Sequence, residues 1–288
     1  MLSIPLTSAI LTVNVPQEGQ TYDSRYLTVD LSYETNAMFY YENNAGNWRE
    51  ICRRADTNCE KRLRFNEGAN SISFKGIDSS GQSSEVNTVN FIVDSKKPRL
   101  STMSPKSNSI VNESDLFKIK YTEDNVQDVT LFFGNDNLTN STCESGKNQE
   151  CYFDPNLEEY DGQTIWYWFS VSDKLQTVES RKTKVIIDTK APNITNTMTT
   201  IQSGDGTAQG KRVEILVDVN EANLEDISYT DSNWCGLAYG KEKTLCTKLS
   251  VGRCIKSQRF CSGTHTLTLT ARDKAGNEVT KVLDPFTI

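Results

Sequence analysis

The sequence predicts an all-β molecule of three tandem β-sandwiches joined end to end as a rod. Three observations predict it in a chain of 288 residues. The first is a repeated link: "FIVDSKKPRLS" at 91–101 returns as "VIIDTKAPNIT" at 185–195, with Asp94 and Asp188 94 residues apart. The second is an Asp that closes a strand in each copy: Asp78, Asp173 and Asp273, spaced by 95 and 100 residues. The third is a Gly ahead of each Asp: Gly68, Gly162 and Gly263, at distances of 10, 11 and 10 residues. Markers that keep one order and one spacing define a repeat. The domains are expected at 1–95, 96–189 and 190–288.

Each copy opens with alternating strands. "YLTVDLSY" places Leu27, Val29, Leu31 and Tyr33 on one face; "LFKIKY" does the same with Phe117, Ile119 and Tyr121; "RVEILVDV" with Val213, Ile215, Val217 and Val219. Period-two alternation buries one face of a sheet. After a short polar turn a second strand is expected in each: "AMFYYE", "VTLFF" and "ISYT". Between Gly and Asp the alternation returns. Ile72, Phe74 and Gly76 lead to Asp78; Tyr167, Phe169 and Val171 to Asp173; Leu267, Leu269 and Ala271 to Asp273. Turns containing "SSGQ" and "KAGN" then supply the positive backbone angles of a hairpin in copies one and three. The returning strands are "VNTVNFIV", "RKTKVIID" and "VTKVLDPFTI". No segment has a sustained 3.6-residue period. Units of about 95 residues with a turn every 8 to 12 residues have the size of immunoglobulin-like sandwiches. Pro begins the next unit because it cannot donate to a ladder and holds its predecessor extended. Links of about four residues stiffened by Pro predict a rod on the order of 100 Å long.

The links, together with "ARDKAGN" before a final strand, resemble the tandem Ig-like repeats of bacterial and archaeal surface proteins. The resemblance covers the whole chain. That family is mostly stalks, adhesins, envelope-layer proteins and accessory modules of secreted enzymes. Antibody-type domains differ, for no Cys pair here is spaced to bridge two sheets and no core Trp lies between such a pair.

Composition narrows the function classes. Net charge is -7, which disfavours whole-surface binding to nucleic acid. No run of 18 apolar residues is present to span a membrane. "MLSIPLTSAI" lacks the basic start and long apolar core of a signal peptide. The eight cysteines are Cys52, Cys59, Cys143, Cys151, Cys235, Cys246, Cys254 and Cys261. They lack the C-x2-C knuckles of zinc sites and redox motifs. Local disulfides are expected instead, 52 with 59, 143 with 151, 235 with 246 and 254 with 261, although four Cys in one copy allow three pairings. Such bonds imply an extracytoplasmic compartment.

Candidate sites follow. "NWREICRRADTNCEKRLRF" at 47–65 is the most basic stretch, with Trp48, Arg49, Arg53, Arg54, Lys61, Arg62 and Arg64 on a disulfide loop. It suits recognition of an anionic glycan or a protein; the plainer reading is a solvated hairpin. The insert "DSNWCGLAYGKEKTLC" adds Trp234 and Tyr239. Sequons at Asn112, Asn137, Asn140 and Asn193 occur about as often as chance gives in so Asn- and Thr-rich a chain. No cofactor is expected. Calcium is the one candidate, on Asp94, Asp188, Asp78, Asp173 and Asp273 with oxygens from "TEDN" at 122–125 and "NEAN" at 220–223. The plainer and preferred reading is that each Asp caps its own turn. His265, the only histidine, is flanked by Thr and reads as a surface strand residue. Glu158 and Glu159 sit in an acidic loop, and no nucleophile elbow, P-loop or HExxH is present.

The expected function is therefore a non-enzymatic extracellular structural or adhesive rod. The alternatives are a ligand-binding ectodomain for glycans or proteins, and an accessory module of a larger secreted enzyme. The spare apolar run in "LSIPLTSAILTVNV" adds an expectation of self-association by strand pairing through residues 1 to 9.

Overall fold

Alternation becomes burial along the strands that lead to the marker aspartates. The computed structural model describes residues 10–42, 46–202, 210–233 and 240–288, with the backbone alone at 53–55. Residues 1 to 9, on which the self-association expectation rests, lie outside the described residues. Ile72 and Phe74, then Tyr167, Phe169 and Val171, then Leu267, Leu269 and Ala271 are all buried. The described chain is all-β apart from one 3-10 turn at Glu158–Tyr160. It falls into two compact units: residues up to Pro98 with Asp173–Thr177, and Arg99–Ser172 with Val178–Ile288.

In the first unit the strands are β1 (Leu11–Val15), β2 (Thr21–Tyr22), β3 (Tyr26–Glu42), β4 (Trp48–Arg64), β5 (Gly68–Asp78) and β6 (Asn87–Val93). The order β1-β3-β5-β6-β2 is closed on one side by β4, which pairs with β3. The sequence expects two strands and a polar turn across 26–42. The structure has one strand instead. Its first half pairs with β1 through residues 30–33, and its second half pairs with β5 through residues 37–42. The polar step Glu34–Asn36 is thus a change of partner within one strand. Val29, Leu31, Phe39, Phe74 and Phe91 fill the core, with Phe65 and Phe91 edge to face at 5.1 Å.

The second unit holds two sandwiches. The first comprises β7 (Arg99–Ser104), β8 (Ile110–Val111), β9 (Phe117–Glu123), β10 (Asp128–Phe133), β11 (Asp136–Asn140), β12 (Gly146–Phe153), β13 (Thr164–Ser172), β14 (Thr177–Glu179) and β15 (Thr183–Ile187). A β12-β9-β7 sheet faces a sheet ordered β11-β10-β13-β15-β8, with β14 on β13. The core draws on both: Phe117, Ile119 and Tyr121 from one, Leu131, Tyr167, Phe169 and Val185 from the other. Tyr121 sheds the cost of its buried hydroxyl by donating to the Glu144 carbonyl at 2.7 Å. The short strand β8 runs parallel to β15 as β2 runs parallel to β6, so the repeat extends to pairing direction.

The second sandwich of this unit comprises β16 (Asn193–Ile201), β17 (Lys211–Asn220), β18 (Leu224–Asp231), β19 (Lys243–Cys246), β20 (Arg253–Phe260), β21 (Thr264–His265), β22 (Leu267–Asp273), β23 (Glu278–Val282) and β24 (Phe286–Thr287). Its sheets are β16-β17-β20 and β19-β18-β22-β23, with β21 and β24 paired at one end. The expected final strand 279–288 is broken in two around Pro285, which has no amide hydrogen for the ladder. Val213, Ile215, Val217, Tyr229, Leu267 and Leu269 form the core. Gly68, Gly162 and Gly263 have φ of 86°, 73° and 130°, a region that favours glycine and explains that marker.

Candidate functional site

The basic stretch of the first unit is the strand β4. It pairs with β3 and with no other described strand, so it is a sheet edge. Arg49, Lys61, Arg62 and Arg64 are exposed along it. Trp48 is half-buried with the Lys75 ammonium 4.1 Å from its ring centre, and the Arg62 guanidinium lies 5.0 Å over Tyr26. Cation and aromatic face attract through the ring quadrupole, which holds both long side chains against the sheet. Cys52 and Cys59 are bonded, with Cα atoms 6.0 Å apart, so the middle of β4 is clipped. The side chains of Arg53 and Arg54 lie outside the described residues, as do Trp234, Cys235 and Tyr239.

Cys143 and Cys151 are bonded in the second repeat. The third repeat corrects the pairing expected from spacing. Cys246 bonds Cys254, so neither 235 with 246 nor 254 with 261 occurs. The reason is strand regularity. β20 pairs with β17 in unbroken register from Arg253 to Phe260, so Cys254 and Cys261, the residue after its end, stand roughly 20 Å apart at about 3.3 Å per residue, far beyond disulfide reach. The register of β4 against β3, by contrast, shifts between Cys52 and Cys59. Cys246 ends β19 beside the start of β20, with the Cα atoms 6.0 Å apart. Cys261 is also disulfide-bonded.

His265 corrects a second expectation. It is fully buried, not on the surface. Its ring stacks on Phe286 at 5.3 Å and meets Phe260 edge to face at 5.1 Å. Nδ1 lies 2.7 Å from the Asp231 carboxylate and Nε2 lies 2.9 Å from the Cys261 carbonyl. Both nitrogens are engaged and enclosed, so the ring clamps the end of the sandwich. Glu158 and Glu159 are exposed on the 3-10 turn.

Asparagine amides tie the second unit together internally. Asn112 Nδ2 donates to the Ala275 carbonyl at 2.6 Å, and its Oδ1 accepts from Ser114. That amide nitrogen is therefore occupied, whereas Asn137 and Asn193 are exposed. Asn140 Oδ1 accepts from Thr142 at 2.8 Å. Asn277 Nδ2 donates to the Asp188 carbonyl at 2.7 Å and to Asp273 Oδ2 at 2.8 Å. Asn223 Nδ2 donates to Asp188 Oδ2 at 2.8 Å. Burial holds the Asp188 carboxyl above the usual carboxylate range despite that bond, and the nearby Asp273 and Asp161 charges push the same way. Burial raises Glu221 as well. Asp161 moves oppositely, because the Lys190 ammonium at 2.7 Å holds it below the usual range, despite some burial, helped by Thr189. No sequence signal distinguishes Asn112, Asn223 or Asn277 from other loop asparagines.

No protein-family model matches the chain, and no curated protein matches it. Among solved structures it is similar to fibronectin(III)-like modules of CbhA from Clostridium thermocellum, at 17% identity over 63% of this chain and 94% of that one, with a TM-score of 0.32. It is similar to extracellular domains 3–5 of Drosophila OTK, at 11% identity over 96% and 97% of the two chains and a TM-score of 0.27. It is also similar to a D1–D4 ectodomain fragment of ICAM-5, at 10% identity over 96% and 76% and a TM-score of 0.45. The sandwich assignment rests on the chain's own strand order and cores.

Proposed function

We propose that the chain is a non-enzymatic extracellular adhesive module, three sandwiches divided near 95 and 189, that binds an anionic glycan on the edge strand β4. The observation that carries this reading is β4 itself: four exposed cations on an unpaired edge, beside the Arg62–Tyr26 and Lys75–Trp48 pairs, on a strand clipped by Cys52–Cys59. A planar guanidinium is matched to sulfate or carboxylate. The whole chain is acidic, so attraction to a polyanion has to be local. The disulfides support an oxidising compartment. One hydrophobic cluster in each of the segments 11–93, 111–187 and 194–288 supports the three-domain division.

Charged edge strands also serve to block sheet-to-sheet aggregation. Binding to immobilised heparin separates the two roles. The intact chain is expected to bind at low salt and to release as salt rises, since surface charge is screened. The R62E/R64E double variant is expected to bind about tenfold more weakly, a difference of about 1.4 kcal/mol. Equal retention of both proteins, or none by either, would contradict a glycan site on β4.

A further inference from the structure

The marker aspartates share one local task. Asp78 Oδ1 accepts the amides of Ser80 and Gln82, both at 2.9 Å. Asp173 Oδ1 accepts those of Leu175 and Gln176, both at 2.6 Å. Asp273 Oδ1 accepts those of Ala275 at 2.8 Å and Asn277 at 2.9 Å. The turn-capping reading is thus correct for one oxygen of each, and it leaves the second oxygen to be explained.

That second oxygen differs between repeats. Asp273 Oδ2 takes the Asn277 amide at 2.8 Å. Asp173 Oδ2 is buried with no hydrogen-bond partner, in a residue only 4% exposed. In the same unit as Asp173, Asp94 is 5% exposed and brings a carboxylate oxygen within 4.8 Å of one of Asp173's. A buried carboxylate oxygen without a donor is costly, and a second buried carboxylate at this range adds repulsion. A cation between them relieves both.

We propose that Asp94 and Asp173 hold a calcium ion. The donors are hard oxygens with no imidazole or thiolate among them, which disfavours zinc. Calcium accepts an irregular oxygen set completed by water, whereas magnesium demands a near-ideal octahedron. The chain's own repetition sharpens the assignment. At the position matching Asp173, the second oxygen of Asp273 receives the Asn277 amide, so there a side-chain donor meets the carboxylate. One calcium ion per chain is the consequence. The site is independent of the glycan reading.

Calorimetric titration of the chelator-stripped full chain with calcium chloride, up to about 10 mM, tests it, because extracellular calcium modules bind at about 0.1–1 mM. The expected result is one equivalent bound and a melting temperature raised by about 5 °C or more at saturation. D173N is expected to lose both responses. D78N, which alters the corresponding turn of the first repeat at a half-buried aspartate outside the site, is expected to keep them. Circular dichroism checks that D173N is folded, and D94N gives the same readout should it not be. No binding, binding that survives in D173N, or an equal melting shift with magnesium chloride would each overturn the assignment.

Discussion

Replacing Phe169 by Ala is expected to destabilise the second repeat by about 3–5 kcal/mol, the cost of truncating a buried aromatic and leaving a cavity. Phe169 is fully buried on β13, with its ring 5.9 Å from Tyr167 on its own strand and 5.7 Å from Phe153 on the facing sheet. It therefore joins the two layers. At about 4–8 °C per kcal/mol for a domain of this size, the melting transition of this sandwich should fall by at least about 12 °C. The contrast is Trp166→Ala, three positions earlier on the same strand and 52% exposed, which should cost about 1 kcal/mol or less. Calorimetry of the two variants reads both effects. Similar losses from both would deny that β13 has one buried and one solvated face.

The second large effect is expected from the disulfide of the third repeat. Closing a loop of about eight residues stabilises by roughly 2.5 kcal/mol through the entropy of the unfolded chain. Cys254 is almost fully buried in the core of this sandwich, so the serine that replaces it also leaves a hydroxyl in an apolar setting. The C246S/C254S variant should lose about 3 kcal/mol or more in denaturant unfolding. The C52S/C59S variant is expected to lose a similar amount, because Cys59 is buried and Cys52 half-buried, just as Cys254 and Cys246 are. A third-repeat variant as stable as the parent would contradict the observed bond.

Much of this was legible in the residues. The inward faces of β5, β13 and β22 follow from counting back in twos from Asp78, Asp173 and Asp273. One more step of two from Asp273 reaches His265, so its burial was within reach of the same count; the flanking threonines obscured it. The pairing of Cys246 with Cys254 needed the unbroken register of β20 on β17, because spacing alone treats a seven-residue separation along a regular strand like one across a bulged strand or a turn. The continuity of β3 was hidden because a polar step that changes partner strands resembles a polar turn. The amide bonds of Asn112, Asn223 and Asn277 join residues far apart in the chain, and nothing local marks them. The acidic residues of the candidate calcium site were visible, but the unpartnered Oδ2 of Asp173 is a property of packing alone.

The central claim is an extracellular module whose repeats are each clipped by a local disulfide. Non-reducing tryptic mapping of the secreted protein tests it most directly. A Lys or Arg lies between the members of every competing pair: Arg53, Lys147, Lys248 and Lys256 among them. Each bond therefore links two separate peptides. The account predicts linked peptides for Cys52 with Cys59, Cys143 with Cys151 and Cys246 with Cys254, and no free thiol at these six positions. A peptide pair joining Cys254 to Cys261, a bond from one repeat to another, or alkylatable thiols at Cys52 and Cys59 would contradict it.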